Sequence, residues 1–404
     1  MLFVSNLTLI IRNVVMIKNW VWIFCIVMLY SCSKKDRNYP YTLQAVDSFL
    51  SYNLDSDVKI PLSVRSFMDN EGKEYLYFQN GVSPELLIYD IQNENLVKRT
   101  VFEVEGQHAI KGGFLNGFMI TDFNQIYIAG LASRELYETD TTGYIKQIRS
   151  YAETVEGYKP VCCFKDNGTF QFIDGKLYLP QSLNWQFGED VIRESVLLCC
   201  IDTLAGDVNI LPFKFPLDDK SIIRGTSASI KSEYKYCYDG RHFVYSFAYM
   251  DKLMVVNPLT SEVEYKSAKS QYAGHIASPS FQDIDNETLQ RKICEYPAYG
   301  NIMYDSYNKV YYRVVYVPQD IDRDINPISL IRSGRKQFSI IILDEQFNVI
   351  GEHLFPPYMY NPKLCFITGG KLYISTSHIM NPNYSDDILE FQMIELVKSN
   401  CSKK

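Results

Sequence analysis

This chain of 404 residues has no block of lysine and arginine long enough to follow a phosphate backbone, and its formal charge is −7. Nucleic-acid recognition needs a concentrated basic footprint, so nucleic acid is excluded as a partner. The compact phrases of catalysis are missing as well. There is no dinucleotide G-x-G-x-x-G, no phosphate-loop G-x-x-x-x-G-K-[ST], no H-E-x-x-H and no serine in G-x-S-x-G. The S-x-D-x-G-x-x-W boxes of sialidase-like propellers are absent too. Neither a cofactor, a metal nor a catalytic group is therefore indicated, and binding is favoured over turnover.

The apolar run from Trp20 to Tyr30 is too short to cross a bilayer as a helix. With Lys18 before it, the run has the shape of a signal-peptide core. It ends in "LYSC", which resembles a bacterial lipobox with Cys32 as the residue to be lipidated. Residues 1–31 are thus read as a lipoprotein signal peptide, starting at Met1 or Met16, and residues 32–42 as the lipidated cysteine and a tether. Acyl chains on Cys32 would hold the protein on a membrane by burying methylenes, with no spanning helix.

Ten cysteines are present, and eight follow Cys32. The pairs Cys162-Cys163 and Cys199-Cys200 do not have a zinc spacing, which leaves about two to four residues between ligands. Adjacent residues on a strand point to opposite faces, so neither pair can aim at one partner. Buried free thiols acting as small hydrophobes are the expectation.

What is abundant is aromatic: 31 Tyr and 23 Phe, residues suited to the pleated surface of a sheet. One hairpin phrase recurs six times. It runs "DNEGKEYLYF" with Gly72, "TDFNQIYIAG" with Asn124, "FIDGKLYLPQ" with Gly175, "YDGRHFVYSF" with Gly240, "SYNKVYYRVV" with Asn308 and "TGGKLYISTS" with Gly370. Glycine or asparagine is expected there because tight hairpin turns need positive φ. A second hairpin follows in most copies, with Asp90, Asp140, Asp202, Asn257 or Asp344 placed to bond the backbone two residues on. Each repeat then holds four antiparallel strands, A to D, in meander order. Such units arranged radially make a six-bladed β-propeller, an all-β fold occupying residues 43–398 with a short tail at 399–404. The sixth unit lacks an outer strand. Residues 43–54 are expected to supply it and close the ring, because Leu50, Tyr52 and Leu54 alternate with polar residues.

In this arrangement the A–B and C–D turns share one face and are short. The D–A and B–C connections share the other and include the long segments 179–195, 215–234, 271–300 and 316–338. Loops on a rigid scaffold are where binding usually resides, so a ligand should meet that face near the central channel. His108, Trp185, Arg224, His275, Arg313 and His378 fall in or near these connections and are the candidate ligand-face residues. Histidine can act as acid, base or ligand, arginine can fork onto an anion, and tryptophan can stack on a sugar or anchor a protein. An envelope protein, peptide or glycan is the expected partner. The alternative is a propeller hydrolase or lyase, metal-assisted and lactonase-like, acting on a glycan or lactone.

The lipobox, the six repeats and the phrase "YDSYNKVYYRVVYVP" at 304–318 resemble a family of Bacteroidetes lipoproteins known as domain of unknown function 4221. That resemblance implies a six-bladed, TolB-like propeller and an address in the cell envelope as an outer-membrane lipoprotein. It carries over no catalytic residue. Surface-exposed lipoproteins of this group often have acidic residues after the lipidated cysteine. Here Lys34 and Lys35 stand in that place, which favours a periplasm-facing position.

Overall fold

The computed structural model describes residues 39–106, 109–111, 117–130, 133–160, 170–181, 195–216, 233–276 and 284–399. The chain divides into two compact units, and the described residues belong to the one spanning Tyr39–Ser402. The signal segment and Cys32 lie outside the described residues, as do Cys162, Cys163 and Cys401.

Strand β1 spans Tyr41–Asn53. Four meanders follow, each a four-stranded sheet in chain order. The first holds β2 (Arg65–Met68), β3 (Glu74–Gln79), β4 (Glu85–Asp90) and β5 (Asn95–Val101). The second holds β6 (Gly117–Asp122), β7 (Gln125–Ala129), β8 (Glu135–Thr139) and β9 (Ile145–Ser150). The third holds β10 (Gln171–Ile173), β11 (Lys176–Pro180), β12 (Leu198–Asp202) and β13 (Val208–Ile210). The fourth holds β14 (Tyr234–Tyr238), β15 (Phe243–Phe247), β16 (Lys252–Val256) and β17 (Val263–Ser267).

The remaining strands join into one eight-stranded sheet. They are β18 (Ala298–Asp305), β19 (Val310–Tyr316), β20 (Phe338–Asp344), β21 (Val349–Leu354), β22 (Asn361–Thr368), β23 (Lys371–Ser375) and β24 (Ile388–Lys398). Their order is β18-β19-β20-β21-β1-β24-β23-β22. Strand β1 runs antiparallel along β24 from Tyr41↔Lys398 to Asn53↔Ile388, with a bulge between Ala45 and Phe49. It meets β21 at a single parallel pairing, Tyr41↔Gly351. Two helices interrupt the long connections, α1 (Asn286–Glu295) before β18 and α2 (Pro327–Arg332) between β19 and β20.

Both faces of most strands are covered, so successive residues feed different cores. On β15, Phe243, Tyr245 and Phe247 pack with β10–β13 residues such as Leu198, while Val244 packs toward Ile341 of the following sheet. Cys199 and Cys200 divide in the same way between two cores, and both are free thiols, as are Cys237, Cys294 and Cys365. Six cores of this kind each join one group of strands to the next. One of them brings Tyr52 of β1 and Phe366, Leu389 and Phe391 of the last strands against Leu76 and Leu87 of the first sheet.

The turns are set by carboxylates. Asp90, Asp140, Asp202, Asn257 and Asp344 each accept a bond from the backbone N–H two residues on, as the sequence pattern predicts. The same device recurs at Asp69, Asp122, Asp239 and Asp305 in the first hairpin of each repeat, where the sequence reading credited only glycine and asparagine. Gly72, Gly175, Gly240 and Gly370 have positive φ, but Asn124 and Asn308 do not. At the latter turn Asp305 Oδ1 accepts from the Tyr307 and Asn308 N–H groups, and the left-handed residue is Lys309, with φ 56°. The carboxylate holds the turn, so the asparagine is freed from the strained position.

Tyr52 is fully buried at the β1 end of its core, and its hydroxyl has no hydrogen-bond partner. Removing an unpaired buried hydroxyl leaves the packing intact. Tyr52→Phe is therefore expected to be neutral or stabilising in urea unfolding, whereas Tyr52→Ala should cost roughly 3–5 kcal/mol.

Candidate functional site

The first strand of each meander lies innermost: β2 neighbours both β6 and β22, and β18 neighbours both β14 and β22. Between these strands is a cavity of about 400 Å³. Its described lining comes from β2, β10, β14, β18 and β22, with Ile293 of α1, Ile331 of α2 and Arg335 reaching it from the long connections. Those connections are the class in which the sequence placed the ligand face.

Four cations line this cavity: Arg65 on β2, Lys235 on β14, Lys363 on β22 and Arg335 after α2. One carboxylate, Glu233, is among the described lining residues, and its Oε1 lies 3.5 Å from Lys235 Nζ. Tyrosines 236, 238, 249, 299, 304 and 316 supply much of the wall.

Arg335 is held by a chain of local causes. Helix α2 is capped at its start by Asn326, whose side chain accepts from the Ile328 N–H, and Pro327 occupies the first turn. It ends at Ser333, after which Gly334 takes φ 91° and Arg335 takes φ 64°. A Cβ on Gly334 would lie 2.3 Å from Pro362 Cδ, so only glycine fits that reversal. The Arg335 N–H donates to the Leu330 carbonyl at 2.7 Å. Its Nη1 donates to the Tyr296 carbonyl at 2.9 Å, and the guanidinium sits 4.3 Å over the Tyr316 ring. A small core of Cys294, Ile321 and Leu330 clamps α1 and α2 together beneath it.

His378, one of the six candidates, does not reach the cavity but supports this arrangement. It is fully buried, and its Nε2 donates to the Arg335 carbonyl at 2.7 Å, while its Nδ1 accepts from the Met380 N–H at 3.1 Å. Both ring nitrogens are satisfied only in the neutral form. Burial pushes its pKa down to about 4.

Arg313 is likewise internal. It is wholly buried on β19, stacked 3.4 Å over the Tyr299 ring, and donates to the Ser246 hydroxyl and the carbonyls of Met250 and Ala268. Desolvation lowers its pKa to about 10. His275 is exposed, with Nδ1 3.1 Å from Asp251 Oδ2, and Asp251 Oδ1 accepts from the Tyr299 hydroxyl at 2.8 Å. His108, Trp185 and Arg224 lie outside the described residues. The structure therefore brings together none of the six as a cluster at the cavity. Arg65, Lys235, Arg335 and Lys363 went unrecognised because they stand singly in strands and loops whose convergence is a tertiary fact. Among the described residues, no group of three or more His, Cys, Asp or Glu side chains is placed to hold a metal ion, and no helix is long and apolar enough to cross a membrane.

Meandering four-stranded antiparallel sheets around a lined cavity define an all-β protein with propeller-like relatives. The family described as a domain of unknown function (DUF4221) matches residues 40–354, and the chain belongs to it. A crystal structure of a family member from Bacteroides vulgatus is 25% identical, covers 90% of this chain and 100% of its own, and superposes with a TM-score of 0.77. A Bacteroides fragilis protein described as exported is 12% identical over 90% of this chain and 98% of its own, with a TM-score of 0.53, a likeness of fold alone. No curated protein matches the chain.

His378 makes stability depend on pH in a defined direction. Its folded pKa lies below the unfolded value, so protonation favours the unfolded chain. Its contribution is complete above about pH 6.5 and is lost as pH falls toward 4, amounting to about 3 kcal/mol in all. Melting temperatures measured across that range should fall more steeply for the native protein than for His378→Gln.

Proposed function

We propose that this protein is a lipid-anchored, six-bladed β-propeller of the cell envelope that binds a ligand in its central channel without turning it over. In this reading the eight-stranded sheet is two blades, β18–β21 and β22–β24 with β1, and β1 closes the ring by supplying the outer strand of the last. The ten antiparallel pairings of β1 with β24 and the six cores that follow one another around the chain support it. The lipobox at Cys32 supports anchoring to the outer membrane, and Lys34 and Lys35 favour the periplasmic side.

The observation that carries the binding role is the cavity itself. At about 400 Å³ it has the size of a small-molecule site, usually ~300–1,000 Å³, and its rim includes residues from two long connections. A metal-assisted hydrolase would need several carboxylates or histidines turned inward, and the described lining offers Glu233 alone. Binding without chemistry is therefore the reading taken over the lactonase-like alternative.

A ligand that binds the native state raises the melting temperature by mass action. A screen of glycans, peptides and small metabolites is expected to yield a stabilising compound whose effect disappears in Ser66→Trp, a bulky side chain placed at an exposed lining position of β2. A stabilising compound that acts equally on Ser66→Trp would place binding outside the channel and contradict this function. Separately, Cys32→Ser should move the protein from the membrane pellet to the soluble fraction. Retention in the pellet would contradict the lipid anchor.

A further inference from the structure

We infer that the channel selects a small polyanion, a ligand carrying two or more carboxylate or phosphate charges. This rests on the reading of the channel as a binding site and names what that site takes. The chain as a whole is acidic, with a formal charge of −7, yet the described channel lining reverses that sign. Arg65, Lys235, Arg335 and Lys363 converge from four separate stretches of chain, against the single carboxylate of Glu233. Lys235 and Arg335 are only 9% and 8% exposed. Burying cations is unfavourable unless opposite charge compensates them, and Glu233 lies within reach of Lys235 alone among the recorded ion pairs. Low-dielectric walls focus the resulting positive potential into the cavity and attract anions.

Arg335 supplies the specific contact. Its Nη1 is committed to the Tyr296 carbonyl, while its Nε and Nη2 make no hydrogen bond among the described residues. That leaves one edge of the guanidinium, two parallel N–H groups, in the geometry that forks onto a carboxylate or phosphate. The Tyr316 ring, the Gly334 reversal and the His378 bond to its carbonyl fix the head in place, so little side-chain freedom is lost on binding. Two lining tyrosines, Tyr249 and Tyr304, have hydroxyls with no hydrogen-bond partner among the described residues, and they can donate to further anion oxygens.

The test is isothermal titration calorimetry of the mature chain in detergent with two matched pairs of probes. Galactarate and galactitol share a carbon skeleton and differ in carboxylates, and fructose 1,6-bisphosphate and fructose differ in phosphates. At least one dianion is expected to bind where its neutral partner does not, and the arm that responds identifies carboxylate or phosphate as the recognised group. Binding should weaken as salt is raised, and roughly tenfold or more in each of Arg335→Gln and Lys363→Gln, the scale of a lost charge-assisted contact. Lys252→Gln, on the outer part of the fourth sheet, should leave affinity unchanged. Lys363→Gln guards against loss of packing in the Arg335 variant, and circular dichroism of both checks folding. Neutral partners binding as well as the dianions, or no dianion binding at millimolar concentration, would overturn the polyanion inference. A neutral ligand excluded by Ser66→Trp would then leave the channel reading standing. A dianion that binds Ser66→Trp as well as the native protein would overturn both.

Discussion

The antiparallel pairing of β1 with β24 is the interaction on which the rest of this structure depends. It joins residues near the start of the described chain to its last strand, from Tyr41↔Lys398 to Asn53↔Ile388. Without it, β24 would present a row of unpaired N–H and C=O groups, and β21 would lose its neighbour on that side. The pairing also carries Tyr52 and Leu54 into the core shared with the first sheet. Closing so long a loop has an entropic cost that grows only slowly with length, whereas a sealed edge and a filled core give a sizeable return. A cavity bordered by the first strands needs those strands held at fixed spacing, and pairing of the chain's ends serves that purpose.

The channel is finished by elements that are not strands. Helices α1 and α2 come from the two longest connections and meet over Cys294, Ile321 and Leu330. Their geometry delivers Arg335 to the cavity, with Tyr296 at the end of one helix and Leu330 inside the other supplying acceptors. His378, from the last repeat, ties that segment down through the Arg335 carbonyl. Residues separated widely in sequence thus act on one guanidinium. The neutral imidazole at this point links the local arrangement to pH through burial.

Much of the fold was legible because its causes are local. The alternating apolar strands and the Asp or Asn two residues before each C–D turn bond predict meanders, and the structure has them. The role of Asp69, Asp122, Asp239 and Asp305 was visible in the same pattern but was credited to the residues after them. Asn124 and Asn308 show the consequence, since a carboxylate-held turn does not need them at positive φ. The site was far less legible. Arg313 and His378 were correctly placed near long connections, but position along the chain does not report burial, and both are enclosed. Arg65 and Lys363 alternate with apolar neighbours on inner strands, and only the radial packing of those strands turns them toward one space.

Native-state hydrogen exchange of the β1 amides tests most directly whether the N-terminal strand is integral to the fold. If β1 closes the structure, the amides paired with β24 exchange only through global unfolding, with the same opening free energy as the core strands β15 and β19. If β1 is an accessory strap, its amides exchange orders of magnitude faster while β22–β24 stay protected, and the closed ring around the channel is contradicted.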